Sequence, residues 1–169
     1  LLDQQGIDAG RPKYHYQHER HLRFPLDKLP GDIAWLIGAS VIIRADLFKQ
    51  LGGFDEDFFL YGEDIDLCLR VRQAGFEIDY CSEIPVYHFG GGSERKTSDY
   101  KLSCKKHKAL CLFCQKHYHP ADQKHVLTRL LRRAKYRYYT NQLAWLLTRR
   151  PQFKARAQHY KAIIDTSPR

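Results

Sequence analysis

The hydrophobic pattern changes period along the chain. Ile33, Trp35 and Ile37 alternate with small or polar neighbours and lead into Val41, Ile42 and Ile43. Gly31 to Arg44 therefore reads as a buried strand, with Gly38 as a kink or a point of close ligand approach. Ala45 to Leu51 predicts a short helix stopped by Gly52-Gly53. Glu63 to Ala74 predicts a second helix, with Ile65, Cys68, Leu69 and Arg72 on one side and Gly75 as its stop. Phe76, Ile78 and Tyr80 then alternate with polar residues, the pattern of a strand. Pro85 to Phe89 reads as a second short strand that carries His88 to a Gly-Gly-Gly turn. Leu1 to Pro30 shows no period and reads as a loop or hairpin, its histidines (His15, His18, His21) in a solvated polar stretch.

Beyond residue 100 the pattern is helical. Tyr100 to Tyr118 predicts a helix, and His119-Pro120-Ala121-Asp122 breaks the chain with Asp122 as the next N-cap. From Gln123 to about Leu147 a long helix follows, its apolar stripe marked by Leu127, Leu131, Ala134, Tyr138 and Trp145. Arg129, Arg132, Arg133 and Arg137 crowd the rest of that helix's surface. After Arg149-Arg150-Pro151, the tail reads as a short basic helix that frays.

Charge divides the chain. Residues 1–100 hold 11 Lys and Arg against 17 Asp and Glu, whereas residues 101–169 hold 17 against 2. The acidic part contains the candidate chemistry, and the basic part calls for a partner. A cationic amphipathic helix over 123–150 suits an anionic membrane surface. Packing on the core or on a second subunit competes with that, and nucleic acid is the weakest of the three. The 169 residues allow one domain with a real core plus appended helices. Five cysteines at irregular spacing fit a reducing compartment better than a disulfide framework. Cys104, His107, Cys111 and Cys114 share one helical face, but four side chains along one straight helix cannot surround a zinc ion. They read as core-facing side chains. No secretory signal is visible, and the longest apolar run, Ile33 to Ile43, is too short to span a bilayer.

The densest chemistry lies between Gly53 and Ser93. Asp55, Glu56, Asp57, Glu63, Asp64 and Asp66 alternate with Phe54, Phe58, Phe59 and Tyr61. Carboxylates this crowded repel one another unless a cation, a helix N-terminus or a proton-transfer task makes use of them. The stretch GFDEDFFLYGEDIDLCLRVRQAG, preceded by WLIGASVIIRADLF and followed by VYHFGGGS, resembles the family 2 glycosyltransferases, most of all the bacterial rhamnosyltransferase-type enzymes that build surface polysaccharide. The resemblance runs from Trp35 to Ser93, with its motifs in order and at family spacing.

That resemblance implies the C-terminal, acceptor-side part of the α/β nucleotide-sugar transferase fold called GT-A: a small mixed sheet with flanking helices, followed by C-terminal amphipathic helices. It implies Asp64 as the general base that takes a proton from an acceptor hydroxyl, with Glu63 positioning the acceptor or the base. It implies Trp35, Gly38, Ala39 and Asp55 on the substrate, and His88 as a ligand to a divalent cation, Mn or Mg, that holds the donor diphosphate. A helix-capping acid at position 64, a hydrogen-bonded core histidine at 88 and plain core packing of Trp35 are the competing readings. The implied partners are a nucleotide-sugar donor, rhamnose on its dTDP carrier being the first expectation, and a saccharide acceptor of lipid-linked type. The implied location is cytoplasmic, peripheral to the inner face of the membrane.

Two domains are expected: residues 1–100 as the acceptor-side catalytic part, and 101–169 as a basic helical extension. The chain begins Leu-Leu-Asp and contains no Met. The family's N-terminal nucleotide-binding half, with its Asp-x-Asp metal motif, has no counterpart before Trp35, so the chain is expected to be a C-terminal fragment, inactive alone. A basic membrane- or nucleic-acid-binding protein acting through residues 101–169, and a zinc-stabilised module, are the alternatives to an enzyme.

Overall fold

A computed structural model describes residues 29–31, 33–81, 84, 86–87 and 98–168. The loop expected over 1–30 falls almost wholly outside them, as do His88, most of the strand expected at Pro85–Phe89, and the glycine turn. The chain forms two compact units, residues 1–90 and 91–169.

In the first unit, α1 (Ala45–Gln50) and α2 (Glu63–Gln73) lie where the pattern places them. Both end in the same hydrogen-bonded way. Gly52 N–H donates to Lys49 O and Gly53 N–H to Phe48 O; Gly75 N–H donates to Arg72 O and Phe76 N–H to Val71 O. This paired closure needs a left-handed residue just past the helix, supplied by Gly52 at φ 77° and Gly75 at φ 88°. The core is formed by Leu47, Leu67 and Val71, with Ile43, Phe48, Leu51, Phe76 and Ile78 packed around it.

The expected sheet is not there. Among the described residues no strand forms: 33–37, 41–44 and 76–80 run without backbone ladders, and a turn interrupts the first of them at 38–39. The Gly31 to Arg44 segment is also not buried as a whole. Ala34 is, but Ile42 is 91% exposed. Alternating hydropathy reports which way side chains face, whereas a strand requires a neighbour to receive its N–H and C=O groups. The mixed α/β sheet expectation is thus corrected to a helical architecture in the described residues.

The described residues of the second unit form three helices: α3 (Asp99–His117), α4 (Pro120–Thr148) and α5 (Pro151–Thr166). α5 packs along both of the others. Small side chains permit the close approach: Ala134 on α4, and Ala157 and Ala162 on α5, are all buried. Two boundaries differ from expectation. Asp122 is not the N-cap of α4; His119 is, accepting from Ala121 N–H through Nδ1 at 3.4 Å. Pro120 begins the helix rather than breaking it, because the first helical position needs no N–H donor. The tail does not fray early but stays helical to Thr166, where Ser167 Oγ donates to Ile163 O. No helix among the described residues is long and apolar enough to cross a membrane.

Polar side chains join α3 to α5. Ser103 Oγ lies 2.8 Å from His159 Nδ1, and His107 Nε2 lies 3.0 Å from Ser167 Oγ. Tyr100 donates to Asp165 at 2.6 Å, and Lys161 pairs with the same carboxylate at 2.7 Å. Cys114 is fully buried, and burial pushes its thiol up to about 12, so it stays a neutral packing group. The residues at 104, 107, 111 and 114 form no metal-binding group, and none exists among the described residues.

Burial also lowers the pKa of both His107 and His159. Each is therefore neutral in the folded bundle at a pH where the unfolded chain, titrating near 6.5, already takes up protons. Stability is fully present above that value and is lost as pH falls through it. Thermal unfolding followed by helical circular dichroism should show a midpoint that falls as pH is taken below about 6.5, towards the lowered values of the folded histidines. The drop should flatten in a His107→Asn, His159→Asn double variant.

Candidate active site

The site begins at the first turn of α2. Tyr61 and Gly62 precede it in the left-handed region, at φ 72° and 93°. For a bulky residue such as Tyr61 that conformation costs about 1–2 kcal/mol. The turn sets Glu63 and Asp64 at the helix start, where the backbone N–H groups and dipole favour carboxylates.

Asp64 is tied twice. Its Oδ2 accepts from Gly38 N–H at 3.0 Å and its Oδ1 accepts from Ile65 N–H at 2.8 Å. A cleft of about 390 Å³ opens beside it, lined by Gly38, Ala39, Ser40, Val41, Phe54 and Asp64, with Leu67 and Cys68 behind. A methyl group on Gly38 would stand 3.4 Å from Asp64 Cβ. Position 38 thus has room for alanine. Two oxygens with about four lone-pair sites leave Asp64 able to accept further hydrogen bonds.

The other candidates are placed unequally. Gly38 and Ala39 share the Asp64 cleft. Glu63 is half-buried, and its Oε2 is enclosed without a hydrogen-bond partner among the described residues. Trp35 is also half-buried, and it does not line the cleft. Asp55 is likewise absent from the cleft lining; its Oδ1 accepts from Asp57 N–H at 3.0 Å and shapes the loop between the helices. His88 lies outside the described residues, and among those described no group of three His, Cys, Asp or Glu could hold a metal ion. Cys68, behind the cleft, accepts from Leu36 N–H, and burial pushes its thiol up to about 11. A thiol so seldom ionised is no nucleophile.

Two arginines of α2 that were not among the expected site residues tie the helix to neighbouring loops. Arg70 bonds Asp66 through Nε at 2.8 Å, Leu51 O at 2.8 Å and Gly53 O at 2.9 Å. Arg72, 2% exposed, donates to Pro30 O at 2.9 Å and Gly31 O at 3.0 Å. The Asp66–Arg70 spacing of four was a visible signal of a helical ion pair. The reach of both arginines to loop carbonyls had no local signature.

The family model for glycosyltransferase-like family 2 matches residues 12–109, more than half of the chain. The chain belongs to glycosyltransferase-like family 2. It is 35% identical over 68 residues to Rhamnosyltransferase WbbL of Escherichia coli (strain K12), covering 39% of this chain and 25% of that protein. It is 37% identical over 73 residues to the N-acetylglucosaminyl-diphospho-decaprenol L-rhamnosyltransferase of Mycobacterium tuberculosis (strain ATCC 25618 / H37Rv), covering 43% and 22%. Over 75 residues it is 36% identical to the O-antigen biosynthesis protein RfbC of Myxococcus xanthus, covering 41% and 6%. The chain thus spans a quarter or less of the length of these relatives. No solved structure matches it.

For this family 2 member, the Arg70 fork is open to a direct test. Asp66 is 1% exposed and Arg70 20% exposed. Arg70→Ala would take a charged donor away from a buried carboxylate and from two carbonyls, at about 1.5–3 kcal/mol for each charged hydrogen bond lost. Urea unfolding of Arg70→Ala, Asp66→Ala and the double variant should give a strongly non-additive cycle. Additive losses would mean that the pair is not coupled.

Proposed function

We propose that this chain contributes the acceptor side of an inverting glycosyltransferase that moves a sugar from a nucleotide-sugar donor to a saccharide acceptor. The observation that carries this reading is Asp64, fixed by the Gly38 N–H at the wall of an open cleft. A carboxylate so held can accept a hydroxyl proton without first reorienting, which is what a general base requires. In the step, the acceptor oxygen attacks the anomeric carbon while its proton passes to Asp64. The bond from that carbon to the diphosphate oxygen breaks on the opposite face, and the nucleoside diphosphate leaves with the electron pair. One displacement inverts the configuration.

Glu63, whose Oε2 is enclosed and which does not line the cleft, would position the base or the acceptor from outside that lining. Gly38 and Ala39 let a sugar approach the backbone, and Phe54 offers it an apolar wall. Trp35 and Asp55, which do not line this cleft, belong to the proposal as further contacts for the substrate. A divalent cation, Mn or Mg, belongs to the proposal for the whole enzyme, with His88 as a ligand, and would neutralise the departing diphosphate. The described residues gather no ligand set for it, so no step is derived through it. Rhamnose is the donor sugar to test first because the names of two relatives carry it. A lipid-diphosphate-linked saccharide is the acceptor to test first, after the decaprenol relative.

The test is made in the full-length gene product. Asp64→Asn should lower transfer about 10²- to 10⁴-fold while donor affinity is kept. Glu63→Gln should act mainly through the acceptor KM. Wild-type turnover in Asp64→Asn would end the assignment of the base.

A further inference from the structure

α4 carries a second apolar face that packing inside the bundle leaves uncovered. Tyr136, Tyr139, Leu143, Leu146 and Leu147 fall within a stripe about 100° wide on a helix of 3.6 residues per turn. They are 67%, 68%, 58%, 53% and 76% exposed. Ala134 and Asn141, both buried, point to the opposite side with the half-buried Leu127, Leu131 and Trp145. Towards the N-terminus the outward face is continued by Arg129 and Arg132, and Arg149 and Arg150 follow its C-terminal end, all exposed.

We infer that this outward face of α4 docks on an anionic lipid bilayer, lying in the plane of the interface with its leucines among the acyl chains. Three features select this occupant. The residues 101–169 carry 17 Lys and Arg against 2 Asp and Glu, which draws the unit to a negative surface. The same excess makes a second copy an unfavourable partner, since two such units repel. Nucleic acid would use the arginines and could stack on the tyrosines, yet it has no use for three exposed leucines at one-turn spacing. Leucines flanked by tyrosines and rimmed by arginines fit the boundary between headgroup and acyl chain.

Docking is independent of Asp64 and goes beyond sugar transfer. It is tested by co-sedimenting the whole chain with phosphatidylcholine vesicles, with and without phosphatidylglycerol. Wild type should sediment with the anionic vesicles and stay in solution with the neutral ones. Leu143→Gln and Leu147→Gln should each weaken partitioning roughly tenfold, with the helical circular dichroism unchanged. Arg129→Gln and Arg132→Gln should each weaken it about fivefold and make it less dependent on salt. Failure of the wild type to bind anionic vesicles would overturn the inference. So would binding that depends on the arginines but not the leucines, accompanied by tight binding to a single-stranded oligonucleotide, or a lipid-free dimer that the leucine variants abolish. Asp64→Asn should bind vesicles as wild type does, so a loss of transfer and a loss of docking are read separately.

Discussion

The side-chain bonds that organise the first unit are the two guanidinium forks of α2. In a sheet, extended segments hold one another through their own N–H and C=O groups. Here Arg70 reaches the carbonyls of Leu51 and Gly53, and Arg72 reaches those of Pro30 and Gly31. Hydrogen bonds from a charged donor contribute about 1.5–3 kcal/mol each, more than neutral backbone pairs. The fork also fixes direction, because the guanidinium nitrogens lie in one plane. Lysine in either place would supply charge without that geometry. Burial lowers the pKa of Arg72, yet a guanidinium stays charged even so, and the carbonyl contacts help offset its desolvation.

The anchoring explains how a strained turn can precede the catalytic candidate. Tyr61 sits in a backbone region that β-carbons avoid, immediately before the first turn of α2. Such a turn survives only where its surroundings over-determine it. α2 supplies that: Leu67 and Val71 are buried in the core, while Arg70 and Arg72 tie its far end to loops on either side. With the helix immobilised, its first carboxylates have a fixed aim. The Gly38 N–H meets Asp64 at 3.0 Å as a consequence of where the helix is held, not of any motif that joins the two residues locally. They are 26 positions apart.

This separation between local and long-range causes decides what could be read from the sequence. Helices α1, α2 and α3 follow from hydrophobic spacing and glycine stops, and their ends agree with expectation to about a residue. The start of α4 was misjudged because proline was taken as a break, although it is compatible with a first helical turn. The strands were misjudged for a deeper reason: a period of two can be satisfied by an extended segment facing a core without any ladder, and pairing is a property of two segments. The cleft places Asp64, Gly38 and Ala39 side by side. Asp55 turned out to organise its own loop, and the arginine forks were invisible because their acceptors are backbone carbonyls, which carry no sequence identity.

The second unit teaches a related lesson about α4. Its inward stripe was legible, and its outward stripe was not, because two apolar faces on one helix blur each other in a periodicity reading. The size distribution separates them. Small side chains, Ala134, Ala157 and Ala162, occupy the buried positions of α4 and α5 and let the helices approach closely. Tyr136, Tyr139, Leu143, Leu146 and Leu147 of α4 lie outside. Scattered exposed apolar residues need no special cause, but five in register along one helix form a patch of the kind that marks an interaction surface. Packing inside the unit accounts for one face of α4; the docking inferred above gives the exposed face a use.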